Sequence, residues 1–182
     1  MSFVKTSVWL TLFIYSSMVC VAEAANERAI FDLSLGDFSE ELVEAKENGK
    51  KGILLFFEMD ECPFCHRMKT TVLNQPEVMA YFKKHFSIYA IDIEGDVVIS
   101  DFSGQSMTMK EFALTHNRVR ATPVFAFFDL TGKRIVRYTG PTSGVEEFMW
   151  LGEYVVNGHY EKLRFTKYKR QKRKEKKNNN KG

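Results

Sequence analysis

Apolar and polar positions fall along the chain in blocks whose periods change from segment to segment. Asp37 followed three residues later by Glu40 is a helix-start signature. Leu42, Val43 and Ala45 give that helix a modest apolar face, and Gly49 or Gly52 stops it. Residues 52–57 are a continuous apolar run bounded by glycine and charge, which predicts a strand buried on both faces. Pro63 suits the first position of a helix running through Met68 to about Leu73, where Asn74-Gln75-Pro76 breaks it. A second helical stretch, 76–85, carries Val78, Met79, Tyr81 and Phe82, and residues 86–93 predict a second strand. Residues 94–107 predict a loop or small hairpin around Val97-Val98-Ile99. Thr108 with Glu111 forms a capping box that opens a short helix to about His116. Residues 124–128 predict a third buried strand, 129–133 a turn, and 134–138 a fourth, alternating strand. Ser143 to Val156 predicts the last helix, with Phe148, Leu151, Tyr154 and Val155 on one face and Gly158 as its stop.

Strands followed by helices imply parallel pairing, and the tight turn at 129–133 implies an antiparallel hairpin at the end. The expected fold class is α/β, a mixed central sheet with helices on both faces. At 182 residues the chain has room for one domain, and its 16 Phe predict an aromatic-rich core.

Charge divides the chain into parts. The net charge is +3, but residues 167–182 alone carry nine Lys/Arg against one Glu, a net +8. Residues 1–24 are neutral, so the remainder sums to −5. That acidic balance argues against a nucleic-acid-binding body. The run from Lys167 is too charged to pack and predicts a disordered basic tail, 167–182, able to make weak contact with an anionic membrane or an acidic partner. At the other end, Lys5 precedes an apolar run from Val8 to Val21, closed by Ala22-Glu23-Ala24. That is the pattern of a secretory signal peptide, 1–24, cleaved after Ala24. The alternative is a membrane anchor, for which about 14 apolar residues fall short of the roughly 20 that a span needs. Cleavage removes Cys20 and leaves a domain at 25–166 holding Cys62 and Cys65, in a periplasmic or otherwise secreted setting where disulfides persist.

Those two cysteines carry the chemistry. Cys62-Pro63-Phe64-Cys65 sits where a buried strand ends and a helix begins. There, unpaired backbone N–H groups and the positive end of the helix dipole favour a thiolate on Cys62, lowering a pKa of about 8.5. Cys65, one turn further, suits the resolving role, and the pair can close and reopen a disulfide through a mixed disulfide on Cys62. Two other readings of the pair are half a zinc site, for which His66, His85, His116 and His159 lack finger spacing, and a purely structural bridge over a very short loop. Three cysteines in the whole chain cannot make a four-cysteine zinc site. Met59 beside the pair opens a further alternative, a Cu(I)-binding chaperone using both thiols. A non-catalytic interaction module with an idle disulfide is the third. Ala121-Thr122-Pro123 precedes the third strand, where proline removes a ladder donor. A cis Thr122–Pro123 bond would turn the chain there and leave the Thr122 backbone open to a partner, against an ordinary trans proline in a loop.

A strand, Cys-Pro-aromatic-Cys at a helix start, then Thr-Pro before a strand, a hairpin and a helix together resemble the thioredoxin superfamily. Phe57-Glu58, Cys62-Pro63-Phe64-Cys65, Pro76-Glu77-Val78, the Ile93–Thr108 insert with its Asp101-Phe102-Ser103-Gly104 turn, and Thr122-Pro123 further resemble the SoxW-type periplasmic thioredoxins of bacteria. The resemblance covers roughly Ile30 to Tyr168. It implies a thioredoxin fold, a thiol–disulfide oxidoreductase without organic cofactor or metal, Cys62 as nucleophile, Cys65 as resolving thiol, and Thr122 and Pro123 as the substrate-docking strand. Its expected partners are disulfide-bearing protein substrates and an upstream thiol electron donor. The chain departs from thioredoxin, whose pair reads Cys-Gly-Pro-Cys where this one has Cys62-Pro63-Phe64-Cys65, at two further places. Glu61 stands where thioredoxin has Trp before the pair, and Phe56, six residues before Cys62, replaces a buried Asp that accepts a proton. Glu58 is the nearest carboxylate for that proton-handling role. Asp60 and Glu61 place negative charge beside Cys62 and oppose its thiolate. Together with Phe64, which offers the thiolate no charge or hydrogen bond, they imply a moderate reductant.

Overall fold

The structure, a computed structural model, describes residues 30–179. The expected signal peptide, its cleavage after Ala24, Cys20 and the last three residues of the basic end lie outside the described residues. Among these residues no helix is long and apolar enough to cross a membrane.

Helix α1, Phe38–Glu47, begins at Asp37, whose carboxylate accepts hydrogen bonds from the backbone N–H groups of Ser39 and Glu40. Strand β1, Gly52–Glu58, leads into α2, Pro63–Met68, which continues as a π-helical turn over Lys69–Leu73. Helix α3, Pro76–His85, and strand β2, Phe86–Asp92, follow. The insert is a hairpin of β3, Val98–Ser100, and β4, Ser106–Thr108. Thr108 accepts from the Glu111 N–H and caps the short helix α4, Met109–Glu111, with a π turn over Phe112–His116. Strands β5, Val124–Phe128, and β6, Arg134–Thr139, precede α5, Val145–Val156.

The sheet runs β2-β1-β5-β6, with β1 and β2 parallel and both β1–β5 and β5–β6 antiparallel. This is the thioredoxin fold, a mixed sheet with helices on both faces. Strand β1 is central and buried from Gly52 through Phe57, and its alternate residues feed two cores. Ile53, Leu55 and Phe57 join Phe38 and Leu42 of α1, the hairpin's Ile99 and Met107, and Phe112. Leu54 and Phe56 join Met68, Phe82, Phe148 and both cysteines on the opposite face. Burial on both faces is why the strand has no alternation in the sequence. Helices α3 and α5 meet through stacked Phe82 and Phe148 rings, 4.4 Å between centroids. Gly152 permits that approach, since a Cβ there would lie 2.8 Å from the Phe82 ring. Each such buried Phe contributes on the order of 2 kcal/mol.

The C-terminal segment departs from the sequence reading. The charge of residues 167–182 predicts disorder, and α5 is read as the last helix. The structure instead forms a 3-10 turn at His159–Glu161 and then α6, Phe165–Asn179, docked on α5. The domain boundary placed at 166 therefore falls inside a helix. The physical reason is local neutralisation. Glu147, with a side chain only 4% exposed, accepts from Lys169 Nζ at 2.7 Å and from Arg173 at 3.3 Å, while Lys172 pairs with Glu153 and Lys176 with Glu146. Tyr168 supplies the apolar contact, buried against Tyr154 and Phe165.

Candidate active site

Strand β1 ends at Glu58, and a three-residue turn delivers Cys62 to the N-cap of α2. Its extended backbone (φ −118°, ψ 94°) is the usual N-cap conformation. Pro63 at the first helical position has no N–H to leave unsatisfied. The Cys62 Sγ accepts a hydrogen bond from the Cys65 backbone N–H at 3.1 Å. The cysteines form a disulfide with their Cα atoms 5.2 Å apart. Cys62 is 5% exposed and Cys65 1%, so Cys62 is the more accessible residue of the pair. An apolar floor of Phe56, Met68 and Phe125 lies beneath them.

The Thr122–Pro123 bond is cis, and it lies beside the pair. Thr122 Oγ1 stands 3.2 Å from Cys62 Sγ, across 60 residues of sequence. The sequence points to Thr122 for its backbone, and the structure adds this side-chain contact. The loop that carries it is pinned from β6. Arg134 and Arg137 donate to the Asn117 carbonyl, and Arg137 also donates to the carbonyl of Arg118, a non-glycine residue held at φ 53°. The Pro123 carbonyl accepts from the Gly140 N–H at 2.8 Å, which ties the other side of the loop to the end of β6.

The structure brings together Cys62, Cys65, Thr122 and Pro123. Glu58 is held by Lys69 Nζ at 2.8 Å, both side chains being about one-fifth exposed. It sits on the same side of β1 as Phe56, the position at which the sequence lacks a buried acid. Lys69 is not among the residues the sequence reading singles out; its place one helical turn beyond Cys65 is the signal that could have marked it. Thr142, buried on the loop before α5, donates its hydroxyl to the Gly144 carbonyl at 3.0 Å, with Met68 Sδ 3.8 Å from the same oxygen, and carries no signal in the sequence. At the rim, Phe64 is half exposed with the Arg67 guanidinium 5.5 Å from its ring centroid, and Asp60 and Glu61 face solvent. Met59 is half-buried and packs against both cores. Among the described residues no three His, Cys, Asp or Glu gather as metal ligands.

Chemically, this is the arrangement of a thiol–disulfide oxidoreductase: a disulfide between neighbouring cysteines, beside a cis proline and at a helix start that supplies N–H donors. The Thr122 hydroxyl and the Cys65 N–H face the Cys62 sulfur in the disulfide, and donors so placed would favour its thiolate on reduction. Thr122→Val keeps the shape and removes one of these donors. A hydrogen bond to a charged group contributes about 1.5 kcal/mol or more, so Cys62 should hold its proton to higher pH in this variant. Thiolate absorbance across a pH titration measures this, and an unchanged curve would reduce Thr122 to a space-filling role.

A family model of the thioredoxin-like domain matches residues 38–155. Among solved structures, a thioredoxin-fold protein from Helicobacter pylori is 26% identical, with a TM-score of 0.63, covering 84% of this chain and 94% of its own. A thioredoxin from Thermus thermophilus is 25% identical, with a TM-score of 0.51, covering 68% of this chain and 88% of its own. The DsbH oxidoreductase shares the fold at 20% identity and a TM-score of 0.54, over 69% of this chain and 85% of its own. No curated protein sequence matches the chain. The family match spans more than half the chain, from α1 to α5, and includes both cysteines and the cis proline; the chain belongs to the thioredoxin-like domain family.

Proposed function

We propose that the protein reduces disulfides in other proteins outside the cytoplasm. The Cys62 thiolate attacks a substrate disulfide and forms a mixed disulfide, expelling one substrate thiolate. Cys65 then attacks Cys62 Sγ, re-forms the internal bond and releases the second substrate thiolate. Two electrons pass to the substrate, and an upstream thiol donor must return them. Glu58, paired with Lys69, is the nearest carboxylate to β1's exit and takes the proton-handling role that Phe56 cannot fill. The observation that carries the reading is the double placement of Cys62, at a helix N-cap and against the Thr122 hydroxyl. The kinship to a Thermus thermophilus thioredoxin supports the exchange chemistry. The SoxW-type resemblance of the CPFC region and the insert supports a reductant, and the N-terminal apolar run with Ala22-Glu23-Ala24 supports export.

Direction follows from competing terms. The helix start and Thr122 stabilise the thiolate, and with it the reduced form, which makes the pair more oxidising. Asp60 and Glu61 oppose the thiolate, and Phe64 contributes neither charge nor hydrogen bond. The expected potential is therefore intermediate, about −270 to −180 mV. Equilibration against a glutathione series, read from the mobility of alkylated protein, gives the value. A result near −120 mV makes the protein an oxidase and overturns the reductant reading.

A further inference from the structure

We propose that the outer face of helix α6 is a docking stripe for an anionic lipid surface. The helix carries eight Lys/Arg and one Glu. Four of the cations, Lys169, Lys172, Arg173 and Lys176, turn inward and pair with Glu147, Glu153 and Glu146 of α5. The other four, Lys167, Arg170, Lys174 and Lys177, are exposed and have no ion pair among the described residues. Their spacings of three, four and three residues set them within about 80° of arc, at 100° per residue. The stripe is thus a geometric consequence of the helix and its docked face, where an unstructured tail would scatter the same charges.

The chemistry of the stripe selects its partner. The exposed positions flanking the four cations are Gln171, Glu175 and Asn178, one carboxylate against four cations, and no apolar side chain stands among them. Stable protein interfaces have an apolar, well-packed centre, which this face lacks. Its attraction is purely coulombic and needs no shape complementarity, which suits a fluid array of anionic headgroups. The rest of the molecule enforces an orientation. Without the neutral first 24 residues and the basic end, the chain sums to −5, so an anionic surface repels the body and draws in α6 first. Each Lys or Arg near such a surface contributes roughly fivefold in partitioning. Four together give a useful but reversible affinity that added salt weakens.

The test is co-sedimentation of the full chain with phosphatidylcholine vesicles, with and without one part in four of phosphatidylglycerol. The measured quantity is the ratio of anionic to neutral partitioning, so any contribution of the apolar N-terminal run, common to all variants, cancels. K167Q/R170Q/K174Q/K177Q should lower that ratio at least about thirtyfold while leaving model-disulfide reduction unchanged. A charge-matched control, K46Q/K84Q/K110Q/K133Q, removes four exposed cations elsewhere and should change the ratio less than about threefold. Equal losses in both variants would mean that net charge alone acts and would overturn the stripe. A wild-type ratio near one, or binding that persists undiminished in about 0.5 M salt, would overturn it as well. Tighter capture by a polyglutamate peptide than by the anionic vesicles would assign the face to an acidic protein and overturn the lipid proposal.

Discussion

Cys62→Ser should bring disulfide reduction down to the uncatalysed background, whereas Cys65→Ser should attack once and remain joined to its substrate. The asymmetry comes from the geometry of the pair. Cys62 is the more exposed of the two residues, and its Sγ accepts from the Cys65 N–H at 3.1 Å, with the Thr122 hydroxyl at 3.2 Å. Cys65 is 1% exposed, so no protein disulfide reaches it before Cys62. Its task is intramolecular, and at a Cα separation of 5.2 Å it needs no backbone movement to reach Cys62. Without it, the mixed disulfide waits for an external thiol and accumulates. Insulin reduction measures the first loss, and non-reducing electrophoresis followed by mass analysis of trapped complexes measures the second. The captured protein would also identify a substrate. Turnover surviving in Cys62→Ser, or complexes trapped on Cys65 in place of Cys62, would reverse the assigned roles.

The legible part of this molecule is the part governed by short-range rules. Asp37 and Thr108 cap their helices where the sequence places them, because a carboxylate or hydroxyl two to three residues ahead of free N–H groups has few other uses. The buried strands β1 and β5 declare themselves as unbroken apolar runs. Cys62 falls at a helix N-cap because Pro63 can begin a helix but cannot continue one. The illegible part depends on groups distant in sequence. The contact between Thr122 and Cys62 spans 60 residues, and nothing at position 122 by itself distinguishes a side-chain role from a backbone one. The pinning of Arg118 by Arg137 is likewise a product of the β5–β6 hairpin. The largest departure, α6, has the same cause. Its own composition is that of a solvated tail, and only the acidic face of α5, with Glu146, Glu147 and Glu153, makes a packed helix of it.

That dependence yields the second large effect expected. Glu147→Ala should release α6 from α5, because one buried carboxylate holds four donors. Tyr138 Oη donates to it at 3.0 Å, Ser143 Oγ at 2.7 Å, Lys169 Nζ at 2.7 Å and Arg173 at 3.3 Å. Removing one partner from a buried ion pair costs about 3–5 kcal/mol when the other charge stays buried. Here Lys169 and Arg173 are partly exposed and rehydrate once the helix lifts, so the expected cost is lower, about 2–3 kcal/mol. Glu146→Gln is the contrasting case. Its pair with Lys176 is about half exposed on both sides and should contribute less than about 1 kcal/mol. Burial raises the Glu147 carboxyl pKa, but hydrogen bonds from Lys169, Ser143 and Tyr138 outweigh it and leave the value below the ordinary 4.5. A carboxylate whose pKa is depressed by folding stabilises the native state above its unfolded pKa and stops doing so as the pH falls through the folded one. The docking of α6 should therefore hold at neutral pH and weaken only below about pH 4.5. On the tyrosine side, burial and the neighbouring Glu147 push Tyr138 up to about 12, so its hydroxyl remains a donor throughout the neutral range. Hydrogen exchange of the α6 amides reads the detachment directly. Fast exchange confined to residues 165–179 in Glu147→Ala, absent in Glu146→Gln and reproduced in the wild type by acid, is the expected pattern. Protection of α6 that persists in Glu147→Ala would show that Tyr168 and the outer ion pairs hold the helix alone.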